Sequence, residues 1–265
     1  MNLPTYKTDV TLNSFQVDPF YYARLTYYLQ IIQEVAGLHA YKLDASIPQL
    51  RQKGMTWVLI RTKLNIAKYI VWPETISVET WPQKPWKFYF PRVTVGTDTQ
   101  GSEVFRAISQ WMVIDLHTHR PSRNPMLYER FDGSKAPFEL DCDLGRQKQF
   151  DDTLDQLPKY HPTILYSDAD FNGHINNISY VSWMLDALPN DFRDHYKVTE
   201  IDISYTSETQ REDQITVHSA LVSSDGLHAE EPELMHKIEK LNKEGEIQTV
   251  SLARTVWRKR DSVHQ

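Results

Sequence analysis

Apolar residues along this chain recur with two different periods, and the periods alternate. Over 18–37, Leu25, Tyr28, Leu29, Ile32 and Val35 repeat at steps of three and four. That is the stripe of a helix burying one face, with Asp18 placed to cap its start and Gly37 its end. A second stripe, Ile178, Val181, Leu185 and Leu188, has Tyr180, Trp183 and Met184 alongside. It predicts a helix over 177–188, capped by Asn176 or Asn177 and stopped by Pro189. Around these lie runs rich in Val, Ile, Thr, Tyr and Trp, punctuated by Pro, Gly and Asp, which read as strands. One sits near 6–12, and four follow the first helix at 56–64, 75–81, 88–96 and 103–116. A short one at 163–166 precedes the second helix, and 197–205, 214–222, 233–241 and 246–257 follow it. A hairpin is expected at 97–102. The stretch 121–160 is polar, acidic and weakly periodic, a connector with room for one short helix.

Strand, one long helix, then about four strands therefore occurs twice, a duplication at the level of pattern. A single apolar helix followed by several long strands predicts an α+β fold in which an antiparallel sheet wraps that helix. The expected division is an N-terminal domain at 1–125, a linker at 126–160 and a C-terminal domain at 161–265. The copies differ in chemistry. Asp168, Asp170, Asn172, His174, Asn176 and Asn177 crowd the entry to the second helix, whereas the entry to the first, FQVDPFYYAR, holds no His and no Asn. One half is expected to be catalytic and the other to shape a pocket. Extended, Asp170 to His174 would span roughly 13 Å, too far to act together, so the segment must curl, and Gly173 permits the turn. A curled segment brings carboxylate, amide and imidazole beside the free amides of a helix start, which suit an anion or an oxyanion. The other reading makes these Asp and Asn residues turn and cap residues, with a bystander His.

Composition narrows the picture. The 265 residues carry 40% hydrophobic and 24% charged side chains, so the chain can bury a core. A net charge of −6 argues against a general nucleic-acid binder and leaves room for a local basic patch. MNLPTYKTDV lacks the apolar core of a secretory leader, and no apolar run approaches the ~20 residues of a membrane span. A single cysteine, Cys142, excludes an internal disulfide and a multi-cysteine metal site, and a cytoplasmic setting fits. The acidic run ELDCDLG around Cys142 would raise its pKa, so it reads as inert. His218, His228 and His236 read as scattered, solvent-facing side chains rather than metal ligands. No metal and no cofactor are expected.

The run D-x-N-x-H-x-N-N-x-x-Y-x-x-W from Asp170 to Trp183 resembles the motif of the acyl-acyl-carrier-protein thioesterases, best known from plant plastids. GMTWVLIRTKLNI (54–66), VETWP (78–82), SQWMVIDLHTHRPSRNP (109–125) and ISYTSET (203–209) are similar to further strands of that family, so the likeness spans nearly the whole chain. No plastid transit segment is read, which makes it similar to the bacterial form. The resemblance implies two tandem hotdog domains and hydrolysis of fatty acyl-carrier-protein thioesters in fatty acid biosynthesis. A hotdog acyl-coenzyme-A thioesterase and a non-catalytic acyl-chain binder are the alternatives.

By position, the family's acidic, amide and imidazole residues fall on Asp170, Asn172 and His174, and its glutamate on Glu208. Where the plant enzymes carry a cysteine beside that glutamate, this chain has Thr209. Strand parity complicates Glu208: Ile201, Ile203 and Tyr205 define one face and Glu208 has the opposite parity, so a bulge at Ser207 must re-aim it or the assignment fails. The family places the acyl chain in the first domain, where Trp57, Leu59, Ile60, Trp81 and Trp111 supply apolar surface. Each is equally suited to ordinary core packing. The implied partner is an acidic acyl carrier protein, so docking needs a basic patch. Lys84, Lys87 and Arg92 are candidates, as are Arg254, Arg258, Lys259 and Arg260. Duplication supplies within one chain the paired sheets that single hotdogs gain by dimerising, which leaves monomer and homodimer both open.

Overall fold

A computed structural model describes residues 3–138, 140–170, 173–222 and 226–260. The chain divides into two compact units, 1–144 and 145–265.

In the first unit, β1 (Tyr6–Thr11) leads to α1 (Leu25–Lys42), the short α2 (Ile47–Arg51), then β2 (Met55–Ile66), β3 (Thr75–Pro82), β4 (Tyr89–Thr97) and β5 (Glu103–Asp115), and α3 (Pro125–Arg130) follows. The strands form an antiparallel order β1-β3-β4-β5-β2. Helix α1 starts later and ends later than its stripe suggests. The Asp18 carboxylate accepts from the amides of Phe20 and Tyr22 at 2.9 and 3.0 Å, which folds the expected first turn into a loop. At the other end, Gly37 sits inside the helix, because Ala36, His39 and Ala40 carry the buried face past it. In β2 a bulge at Ile60 breaks the register between Leu59 and Arg61 and flips the faces beyond it. Helix α3 inserts Leu127 into a core with Leu50, Phe90 and Val113, and Phe131 follows just after it. Residues 125–144 thus pack with the first unit.

The second unit runs β6 (Asp155–Gln156), α4 (Asn177–Asp186), α5 (Asn190–His195), β7 (Tyr196–Tyr205), β8 (Gln214–Leu221), β9 (Glu233–Leu241) and β10 (Ile247–Lys259), with strand order β7-β10-β9-β8-β6. The strand expected at 163–166 is absent. Leu165 and Tyr166 are exposed, and 166–168 form a single 3₁₀ turn. The edge of β8 is covered instead by β6 and by a bridge from Tyr160 to Val217. Helix α4 buries Tyr180, Val181, Trp183 and Met184. Pro189 caps α5, which the pattern did not announce.

His218 and His236 are buried, against the solvent-facing expectation, whereas His228 is exposed. His236 bridges Ser219 Oγ on β8 and Thr255 Oγ1 on β10, each at 2.9 Å, and burial holds its pKa down to about 4. No helix among the described residues is long and apolar enough to cross a membrane.

Candidate active site

The curl that the spacing demands is present at 170–174. The Asp170 amide donates to the His174 carbonyl at 2.8 Å, and the Gly173 amide donates to the Asp170 carbonyl at 3.0 Å. Gly173 holds φ at +81°, in the left-handed region that a side chain resists. Asp170 Oδ1 accepts from the His174 amide at 3.2 Å, so the carboxylate braces the backbone that carries the imidazole. Just outside this turn Ala169 bridges Ile175, and the Asn176 amide donates to the Asp168 carbonyl at 2.8 Å. The Asp168 carboxylate accepts from Leu165 N–H and from Ser179 Oγ, which ties the loop to α4. Asn172 lies outside the described residues.

Asn176 is the N-cap of α4: its Oδ1 accepts from the Ile178 amide at 2.9 Å, and its carbonyl accepts from the Ser179 amide at 2.9 Å. These two amides are engaged within the cap, which removes them as donors to an oxyanion.

Glu208 reaches the imidazole. Its Oε2 stands 3.5 Å from His174 Nε2, and the two side chains are 55% and 36% exposed, so water has access to the pair. The parity difficulty dissolves because β7 ends at Tyr205. The Thr206 amide makes the last ladder bond, to Val250, and Ser207 is a bend, so alternation no longer governs where Glu208 points.

The next residue turns the other way. Thr209 is fully buried, its Oγ1 accepts from the Tyr180 hydroxyl at 2.7 Å, and its carbonyl accepts from the Ile175 amide at 3.2 Å. Burial pushes the Tyr180 pKa up to about 12, which keeps that hydroxyl a donor near neutral pH. On the far side of the loop Lys240 donates to the Glu208 carbonyl and lies 3.5 Å from Asp213, whose carboxylate accepts from the Gln210 amide at 2.8 Å. The segment bearing Glu208 is therefore tied to the His174 turn, to α4 and to β9. Tyr180 was visible in the sequence beside the apolar stripe and as the Tyr of the Asp170–Trp183 run, but neither pattern shows that its hydroxyl meets Thr209. Lys240 carried no local signal, because its partners are more than 25 residues away in sequence.

Cys142 is half-buried, and burial, with Asp141 beside it, pushes its thiol up to about 11, so no thiolate nucleophile is present near neutral pH. Among the described residues no group of three His, Cys, Asp or Glu is placed to hold a metal ion.

The apolar candidates all lie in the first unit. Trp57 donates Nε1–H to the Ala45 carbonyl at 2.7 Å and stands edge-on to Phe90 and Phe131. Leu59 is buried and pairs with the half-buried Trp111 across β2 and β5. Trp81 is buried edge-on against Phe138.

Two units, each of antiparallel strands with one long helix, define a tandem hotdog protein, and the second carries an imidazole–carboxylate pair at its helix entry. The family model for the acyl-ACP thioesterase N-terminal domain matches residues 4–127, and that for the C-terminal domain matches residues 152–259. The chain belongs to the acyl-ACP thioesterase family. It is 24% identical over 288 residues to oleoyl-acyl carrier protein thioesterase 1, chloroplastic, of Arabidopsis thaliana, covering 97% of this chain and 77% of that one. Its fold matches an acyl-ACP thioesterase from Bacteroides thetaiotaomicron at a TM-score of 0.80, with 22% identity over 96% of this chain and 98% of the other. It also matches the 12:0-ACP thioesterase of Umbellularia californica at 0.81, with 20% identity over 98% of this chain and 96% of that one.

Proposed function

We propose that the chain hydrolyses fatty acyl-carrier-protein thioesters to free fatty acid and carrier thiol. The observation that carries this is the solvent-accessible His174–Glu208 pair at 3.5 Å, held beside the entry to α4. In this reading His174 Nε2 takes a proton from water as its oxygen attacks the thioester carbonyl, and Glu208 stabilises the imidazolium that forms. The C–O bond forms, the C–S bond breaks, and the proton passes from His174 to the departing sulfur. Asp170 holds the turn that presents His174. Asn172 is assigned to the oxyanion from its place in the motif. A buried hydroxyl on Thr209, already accepting from Tyr180, is bonded to no base among the described residues, which favours water as the attacking group. Trp57, Leu59, Trp81 and Trp111 are the proposed lining for the acyl chain.

The test pairs substrates with a variant. Wild type is assayed on carrier-protein and coenzyme-A thioesters of one chain length, beside His174→Ala. Hydrolysis of the carrier thioester is expected, with a loss of ~10²-fold or more in the variant and no change in fold. A His174→Ala rate within about threefold of wild type removes the general base from this reading.

A further inference from the structure

The basic residues of this acidic chain are not spread evenly, and most turn out to be occupied. Arg92, a docking candidate by sequence, is buried: its Nη1 donates to His39 Nδ1 at 3.0 Å and to Thr80 Oγ1 at 3.2 Å, under the ring of Phe131. Arg254 is held between Glu200 and Glu233, and Arg258 lies 3.4 Å from Glu231. Lys84, Lys87 and Arg123 differ from these. All three are exposed, and none meets a carboxylate among the described residues. From Thr80 to Thr97 the sequence has no acidic residue, and none occurs from Leu116 to Asn124.

The surface they form is built and aromatic. Residues 86–89 close a tight turn, with the amides of Trp86 and Tyr89 donating to each other's carbonyls at 3.0 and 2.8 Å. Trp86 is 57% exposed, with Lys87 Nζ 4.4 Å from its ring centre and Tyr89 stacked on it. Arg123 covers Phe88 at 4.5 Å, which joins the 116–124 loop to the turn. The Tyr128 hydroxyl donates to the Lys87 carbonyl at 2.6 Å. Gly133 lies so close behind that a Cβ there would stand 2.5 Å from Lys84 N, with φ at +71°. An exposed tryptophan among unpaired cations, on a turn braced from two sides, has the composition and rigidity of an interface centre.

We infer that the 84–88 turn with Arg123 is a docking surface for the acidic face of the acyl carrier protein. This rests on the carrier-thioester reading above. Charge complementarity selects the occupant: in a chain of net charge −6, exposed cations on a stretch free of acidic residues attract an acidic partner.

The experiment compares wild type, Lys84→Glu/Lys87→Glu and Trp86→Ala on palmitoyl-carrier protein and on palmitoyl-N-acetylcysteamine, a neutral thioester without a carrier. Both variants should raise KM for the carrier-linked substrate about tenfold, with kcat and activity on the neutral thioester unchanged. Raising salt should lower wild-type kcat/KM on the carrier substrate more steeply than that of the charge-reversed variant. These positions are exposed, so melting temperatures should stay at the wild-type value, and that is checked in parallel. Equal changes on both substrates, or none, would overturn the docking surface while leaving hydrolysis intact. Wild type that cleaves only the neutral thioester would overturn the carrier reading itself, and this surface with it.

Discussion

Glu208 and Thr209 are neighbours that face opposite environments, and the proposed reaction gives them different tasks. Glu208 is exposed beside His174, whereas Thr209 is sealed against Tyr180. Thr209→Ala and Tyr180→Phe each remove one tether from the loop and no reacting group. Each should keep kcat within about tenfold of wild type, a loss of roughly 1.4 kcal/mol at most. Thr209→Ser, which keeps the hydroxyl, should match wild type. Glu208→Ala should lose ~10²-fold. Mass spectrometry of enzyme trapped with substrate should show no acyl group on Thr209, and an adduct there would return the nucleophile to that side chain. At this scale the sequence revealed residue types and order, and it identified Gly173 as the hinge of the turn. It misjudged direction, because alternation holds only as long as the strand does, and nothing in ISYTSET marks Tyr205 as the last residue of β7.

Elements were legible where one face is apolar, and less so where polar groups share the interior. Helix α1 was recognisable from its stripe, but its start depended on a single carboxylate at Asp18 choosing a loop over a cap. His218 and His236 were misread for a related reason: period-2 counting places His236 on a strand but does not show that Ser219 and Thr255 wait on either side to bond it. That arrangement has a measurable consequence. With a native pKa of about 4 against an ordinary 6.5, His236 stays neutral when folded and takes a proton when unfolded. The unfolded state therefore gains protons as pH falls, so stability drops as pH goes from about 6.5 toward 4, by a few kcal/mol, on the order of 3 in full. Urea denaturation at pH 7, 6 and 5 checks the sign. Burial holds His39 down to about 4 as well, with the same sign, so unfolding free energies that stay flat across that range would show that both histidines are protonated in the native state.

Across the whole chain, the repeated order of strand, helix and strands made the doubled architecture readable from period alone, since each copy must cover its own helix. Lys240, Gly133 and the burial of Arg92 were not readable, because each depends on partners far away in sequence. Residues 125–144 illustrate this. Their composition reads as a spacer, yet Leu127 and Phe131 are buried in the first core, and Gly133 backs onto the 83–84 backbone. Replacing them with a Gly/Ser run of equal length should lower stability by roughly 5 kcal/mol, the scale of losing two large core side chains, as read by urea denaturation. A tolerant replacement would mean that those side chains hold nothing in place. For recombination among relatives, the consequence is a rule about crossover points. A junction drawn at the change in composition near 125 would hand the second parent the rear wall of a surface whose front belongs to the first. A junction after Leu144 lets turn and buttress be inherited together, so on the docking surface proposed above partner preference would travel with the first parent as one heritable block.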